Sequence, residues 1–292
     1  MPLEDELCFV QFIHPGAEHE PGGNMSMEWN RHAHKRKFVE IAGRCQRQEV
    51  VFDGPLRFWA EWEPESRATP ISQPLEHEPH FVQRLFYVRP NSYTGRQNTD
   101  PFVFGGFFYT GCQQNTCRGA TQLRFLKRGS VILFGSWVDD QFVLDTVFVV
   151  DKWEDHNAHD FLRLKDLVPQ TFWDVALQPW YQHNDCAGSR VNPAPSSCRL
   201  YWGATSGKPV DGMFSFFPCM LADQAPRGFA RPAIAIPGVI TNQLRQGKRL
   251  NREGLTPRKV TEYWNRVRKQ VESKGLWLGV HAEIPKRHKD RI

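Results

Sequence analysis

The sequence predicts an α+β chain built mainly from strands, with one well-marked helix near its C-terminal end. Three stretches carry that expectation. VILFGS (131–136) and FVLDTVFVV (142–150) are β-branched and aromatic runs joined by the polar turn Trp137 to Gln141, the pattern of a β-hairpin. LRFWAEWE (56–63) alternates with a period of two, as a half-buried strand does. Thr256-Pro257 opens a segment whose apolar residues recur at helical spacing and which stops at Gly275.

Taken in order, the chain begins with a strand over Leu7 to Ile13, ended by the turn His14-Pro15-Gly16. Residues 29–38 are basic, with Trp29 at one end and Phe38 at the other, and read as a short helix or a structured loop. Within them His34, Lys35, Arg36 and Lys37 have the makings of a phosphate clamp; polar surface is the plainer reading. Val50 to Phe52, a turn at Asp53-Gly54-Pro55 and Leu56 to Glu63 read as a second hairpin. Its alternation puts Leu56, Phe58, Ala60 and Trp62 on one face and Arg57, Trp59, Glu61 and Glu63 on the other. The second face is either a solvent-facing row or a pocket wall, with Trp59 to stack a planar group and Glu61 and Glu63 to bind it.

Residues 64–80 read as a loop and Phe81 to Val88 as a strand. Asn98 and Asp100 either satisfy backbone donors before Pro101 or join Tyr109, Cys112 and Gln114 in a polar constellation. In the strand 142–150, alternation places Phe142, Leu144, Thr146 and Phe148 together, with Asp145 among valines on the other side. A carboxylate there needs a partner, and it serves equally as an anchor or as an acid/base group. Residues 151–174 are mixed and partly helical, and 178–197 form a long excursion. Strands resume at 198–203 and 212–219, followed by the basic loop 227–232 with Arg231, which can touch nucleic acid. Val260, Tyr263, Trp264, Val267 and Val271 form the apolar stripe of the terminal helix. One unit over 1–292 is expected, with a core at about 50–150 and a strand-and-helix extension at about 198–280.

Composition bounds the function. At 40% hydrophobic and 24% charged, the chain buries an ordinary core. Ten Trp and 21 Phe supply rings for that core and leave a few for stacking. The net charge of +5 is compatible with nucleic acid, and basic clusters lie at 31–37, 245–259 and 286–291. No apolar run is long enough to span a bilayer, and the acidic start is not a targeting sequence. Seven cysteines at irregular spacing, with no Cys-x-x-Cys, point to free thiols in a reduced, cytoplasmic setting. His32 and His34 do not suffice for a metal site, so neither metal nor cofactor is expected. P-loop, Rossmann, Gly-x-Ser-x-Gly and zinc-deaminase signatures are absent, as are the motifs of uracil-DNA glycosylases.

Tyr109-Thr110-Gly111-Cys112-Gln113-Gln114, then Leu123, Leu126, Lys127, Gly129 and the strand 131–136, resemble the core of the PUA-like superfamily, its EVE and YTH domains in particular. The resemblance covers about forty residues. Ser130 stands where an acidic residue is usual, and an insertion with Cys117 lengthens the loop. It implies a small β-barrel with a pocket for one flipped base, flanked by the N-terminal basic loop or helix and the packed C-terminal amphipathic helix. As a whole the chain is also similar to bacterial antiphage glycosylases that remove glucosylated hydroxymethylcytosine; on that likeness Trp59 and the two glutamates accommodate the sugar.

Two functions follow as expectations. One is a DNA N-glycosylase for modified bases in double-stranded DNA, with Asp100, Glu61, Glu63 and Asp145 as catalytic candidates. The other is a non-catalytic reader, with Asn98, Tyr109 and Gln114 reading the base edge beside Trp59 and Cys112. In both, His34, Lys35, Arg36, Lys37 and Arg231 follow the nucleic-acid backbone. A PUA-like RNA-binding protein is a third class. The first is favoured because the chain exceeds what a bare reader needs.

Overall fold

The computed structural model describes residues 4–14, 16–22, 25–27, 35–87, 99–116, 119–182, 197–237, 248–249 and 255–287. The fold is mixed α/β and mostly strands. The longer strands are β1 (Phe9–His14), β2 (Lys37–Arg47), β3 (Val50–Ala60), β4 (Ser66–Pro70), β5 (Phe81–Tyr87), β6 (Phe108–Thr110), β7 (Val131–Val138), β8 (Gln141–His156), β9 (Cys198–Gly203), β10 (Phe217–Leu221) and β11 (Trp277–Ala282).

A six-stranded sheet runs from Lys248–Arg249 through β1, β7, β8 and β9 to β6. The expected hairpin is its centre. β7 and β8 pair antiparallel across Asp139-Asp140, both at positive φ (46° and 56°), as a two-residue hairpin turn with the strands' own twist demands. β1 lies parallel to β7, with Phe9 opposite Val131 and His14 opposite Ser136. Phe134, Phe148 and Val150 pack into one core cluster, while Leu133, Val147 and Val149 pack into a second. Both faces of this sheet are therefore covered, which is why its strands read as unbroken apolar runs.

The eight-stranded sheet runs β11, β10, β3, β2, β5, β4 and Ser26–Met27, with Lys286–Arg287 on β5. β11 pairs with both β10 and β2, so β2, β3, β10 and β11 are joined in a ring of pairings. The hairpin β7–β8 lies outside that ring. Residues 50–150 are thus shared between the two sheets.

Two local expectations are corrected. The basic stretch ends in an eleven-residue strand, β2, and not in a loop or helix. Asp53-Gly54-Pro55 is no turn: β3 runs unbroken from Val50 to Ala60 and its hairpin partner is β2, joined at Gln48-Glu49 with Gln48 at φ 55°. Gly43 sits opposite Gly54 in that ladder. A Cβ on Gly43 would lie 2.3 Å from the His281 carbonyl oxygen, so glycine is what lets β11 cross there.

The terminal helix, Pro257–Ser273, forms as its sequence requires. Thr256 Oγ1 accepts from Lys259 N at 3.3 Å, and Gly275 beyond the end takes φ 79°. Val260, Trp264, Val267 and Val271 are buried, and Trp264 Nε1 donates to the Phe214 carbonyl at 3.0 Å. Cys8, Cys45, Cys112, Cys198 and Cys219 are free thiols. Among the described residues no helix is long and apolar enough to cross a membrane.

Candidate functional site

Charged groups from separate elements converge at one end of the β2–β3 hairpin. The ladder pairs Lys37 with Ala60, and the next step of the same register brings Arg36 opposite Glu61. Arg36 is 1% exposed and Glu61 3%. The guanidinium is fully engaged: Nη1 donates to Glu61 Oε2 at 2.9 Å, Nε to Asp145 Oδ2 at 2.8 Å, and Nη2 to His14 Nδ1 at 3.1 Å. Nδ1 of His14 also stands 3.3 Å from Glu61 Oε2, so this nitrogen faces both a donor and an acceptor. Nε2 of the same ring lies 3.2 Å from Cys112 Sγ.

Asp145 reaches this cluster through a β-bulge. Gly135 pairs with Leu144 and Phe134 with Thr146, leaving Asp145 as the extra residue. The bulge also overturns the simple alternation expected for β8. Phe142 and Leu144 pack in the same cluster as Val147 and Val149, so the faces exchange at Asp145. Gly135 is needed opposite: a Cβ there would lie 2.1 Å from the Val143 carbonyl oxygen.

Arg231 closes the outer side. Its Nη1 donates to Ser136 Oγ at 2.9 Å and stands 3.6 Å from Asp145 Oδ1, and Nη2 donates to the Gly16 carbonyl. Burial works against both arginine cations. For Arg36, the carboxylates of Glu61 and Asp145 outweigh it and hold the pKa above its ordinary value. For Arg231, burial prevails over Asp145, with Arg36 adding to it, and the pKa is lowered. Desolvating four charges in so small a volume costs several kcal/mol per ion before pairing recovers it. Such clusters beside a cleft are candidates for chemistry.

That cleft encloses about 520 Å3. Trp59, Trp137, His77, His80, Val143 and Arg231 are among its walls. The Trp59 indole is held edge-in, with Nε1 donating to the Phe229 carbonyl at 2.9 Å and the Arg231 guanidinium 5.0 Å over its ring. Phe38 packs at 5.4 Å. Trp59 is only 5% exposed, so the half-buried Trp137 offers the more open ring. His77 pairs with Asp139 at 3.2 Å, and His80 Nδ1 meets Glu18 at 2.9 Å.

The remaining residues singled out in the sequence lie as follows. Asp100 is fully buried and accepts from the backbone N–H groups of Thr110 (2.9 Å) and Cys112 (3.1 Å), holding the turn that carries Cys112. Burial, with Asp100, Glu61 and Glu63 nearby, pushes the Cys112 thiol pKa well up. Tyr109 is buried, its hydroxyl donating to the Cys112 carbonyl at 2.6 Å, and its ring stacks on Tyr201 at 5.7 Å. Gln114 spans to strand β9 through both amide atoms, with Arg199 N and O each at 2.7 Å. Glu63 is 2% exposed, its N–H bonded to Thr99 Oγ1 at 3.3 Å. Asn98 and His34 lie outside the described residues.

The clamp of consecutive basic residues is corrected. Arg36 serves the buried network, and Lys37 is fully buried with Nζ donating to the Pro64 carbonyl at 2.6 Å. Neither faces a phosphate. Lys35 is half-buried. Of Trp59, Asp100 and Tyr109, only Trp59 lines the cleft.

His14 and Ser136 were not singled out in the sequence. They face each other in the β1–β7 ladder, and only that parallel pairing brings them to the network. Among the described residues, no group of three His, Cys, Asp or Glu side chains is placed to hold a metal ion. No family model, curated protein or solved structure matches the chain.

Proposed function

We propose that the cleft beside Arg231 takes a single extruded base of double-stranded DNA, a modified one, and that the protein excises it as an N-glycosylase. One observation carries the catalytic part. Asp145 is 4% exposed, and its Oδ2 is pinned by Arg36. Its Oδ1 has no hydrogen-bond partner among the described residues and meets Arg231, a wall of the cleft, only at 3.6 Å. A buried carboxylate oxygen left with spare accepting capacity is costly unless it has a use. From its place beside Arg231, just behind the cleft wall, it stabilises the positive charge that develops on a sugar whose C1′–N bond is breaking.

The balance of the step is simple hydrolysis. The C1′–N bond breaks, the oxygen of water bonds to C1′, and one water proton leaves with the base. Arg36 holds Asp145 Oδ2 in place. His14 and Glu61 hold Arg36 from the other side. The cleft volume lies within the range of about 300–1,000 Å3 typical of small-ligand sites. Trp137 and His77 supply planar walls. The PUA-like reading belongs to the same proposal, with its core expected at about 50–150, residues that are divided between the two sheets.

Duplexes carrying hydroxymethylated or glucosylated cytosine, incubated with the protein and then treated with alkali, test this. Strand breaks together with free base in the supernatant are expected, and both disappear in Asp145→Asn. Tight binding with no base released leaves the non-catalytic reader.

A further inference from the structure

With Arg36 and Lys37 turned inward, the solvent-facing cations next to the cleft need a separate account. Three arginines meet in a second groove of about 420 Å3, among whose walls are Glu40, Arg57, Arg84, Arg227 and Ser72. Glu40 and Arg57 are opposite one another in the β2–β3 ladder. Glu40 Oε2 accepts from Arg57 Nε at 2.8 Å and Nη2 at 2.6 Å, and Oε1 lies 3.7 Å from Arg84 Nη2. The other arm of Arg57 donates to the carbonyls of Ala225 (2.6 Å) and Pro226 (3.2 Å). Arg57 therefore braces the turn that presents Arg227, while one carboxylate sets the spacing of Arg57 and Arg84.

The cations left for a ligand are Arg84, whose side chain is 75% exposed, and the exposed Arg227. Three guanidinium groups against one carboxylate leave the groove positive. Planar guanidinium forks suit the oxygens of a phosphate.

The groove and the cleft are parts of one construction. Arg227 lines the first and Arg231 the second. Between them Phe229 is fixed, its carbonyl accepting from Trp59 and its ring 5.3 Å from Phe38. Four residues span at most about 14 Å. The two arginines therefore stand within the rise of about four phosphates along one strand of a duplex.

We propose that this groove is a phosphate subsite, holding a backbone phosphate of the strand whose base enters the Trp59–Arg231 cleft. The proposal rests on the reading of the cleft as a base site. Fluorescence anisotropy with a labelled duplex, titrated at several salt concentrations, tests it without relying on catalysis. The doubly substituted Arg84→Gln, Arg227→Gln protein should bind about fivefold more weakly near 0.15 M salt, and the slope of log K against log salt should flatten by about 0.9, for one lost phosphate contact. Arg44→Gln with Arg128→Gln removes the same charge from exposed positions elsewhere and should change neither quantity. A duplex with an abasic site should show the same dependence on Arg84 and Arg227. Equal weakening by both pairs of substitutions, an unchanged slope, or no duplex binding by the unaltered protein would overturn the subsite. Arg-dependent binding without base release retains the subsite and removes the excision reading; base release with an unchanged slope does the reverse.

Discussion

Lys37 lends itself to a quantitative test. It is fully buried beside Glu63, and burial lowers its pKa from 10.5 to about 7 in spite of Glu63 and Glu65. Between those values the unfolded chain holds a proton that the folded chain has given up. Stability must therefore rise with pH across the window, since it increases wherever the unfolded state binds more protons. Integrating the two titrations from pH 7 to 8.5 gives a gain of about 1.5 kcal/mol from this one group. Lys37→Met keeps an unbranched side chain and removes the titration. Urea unfolding of both proteins at several pH values within this interval supplies the measurement. The unaltered protein should gain about 1.5 kcal/mol relative to the variant over that interval. Parallel pH profiles would refute the placement of an ammonium group in that interior. The window ends near pH 8.5 because burial raises the pKa values of Cys112 and Tyr109, which act in the opposite sense at higher pH.

Further outcomes follow from the network and the bulge. Arg36→Met leaves Glu61 and Asp145 buried without their shared cation and should cost about 3–5 kcal/mol in urea unfolding; a loss under 1 kcal/mol would mean that the carboxylates reach solvent. Gly135→Ala forces a methyl group onto the Val143 carbonyl; a loss of about 1–3 kcal/mol is expected, read as a lowered melting temperature, and no change would remove the bulge. Asp145→Asn should abolish base release while keeping duplex binding within a few-fold, which separates a catalytic carboxylate from a binding one.

The sequence made β1, β7, β9 and the first half of β8 legible because they are buried on both faces and carry no competing periodicity. The helix was equally plain, with a cap, a proline, a stripe and a terminal glycine at the right intervals. β2 was hidden because KFVEIAGRCQR mixes charges with apolar residues and contains a glycine. Its reason for being a strand lies in its neighbours: its hairpin partner β3 on one side, and β5 and β11, farther along the chain, on the other. Asp53-Gly54-Pro55 carried turn residues, and the long β2–β3 ladder overrode them.

At the site, Glu61, Asp145, Cys112 and Arg231 could be picked out as unusual residues, each for its own local reason. Their partners could not. Residue type and spacing determined that the chain would be rich in strands, that its central hairpin would be covered, and that a few charges stood among apolar residues. Only tertiary structure decided that Arg36 turns inward, since that depends on which strand supplies the opposing carboxylate. Only the bulge decided that Asp145 leaves the alternation of its strand, since an extra residue in a ladder is a property of two strands and not of one. Long-range pairing fixes where a charge finds its counter-charge, and in a desolvated interior that choice outweighs every local preference of the chain.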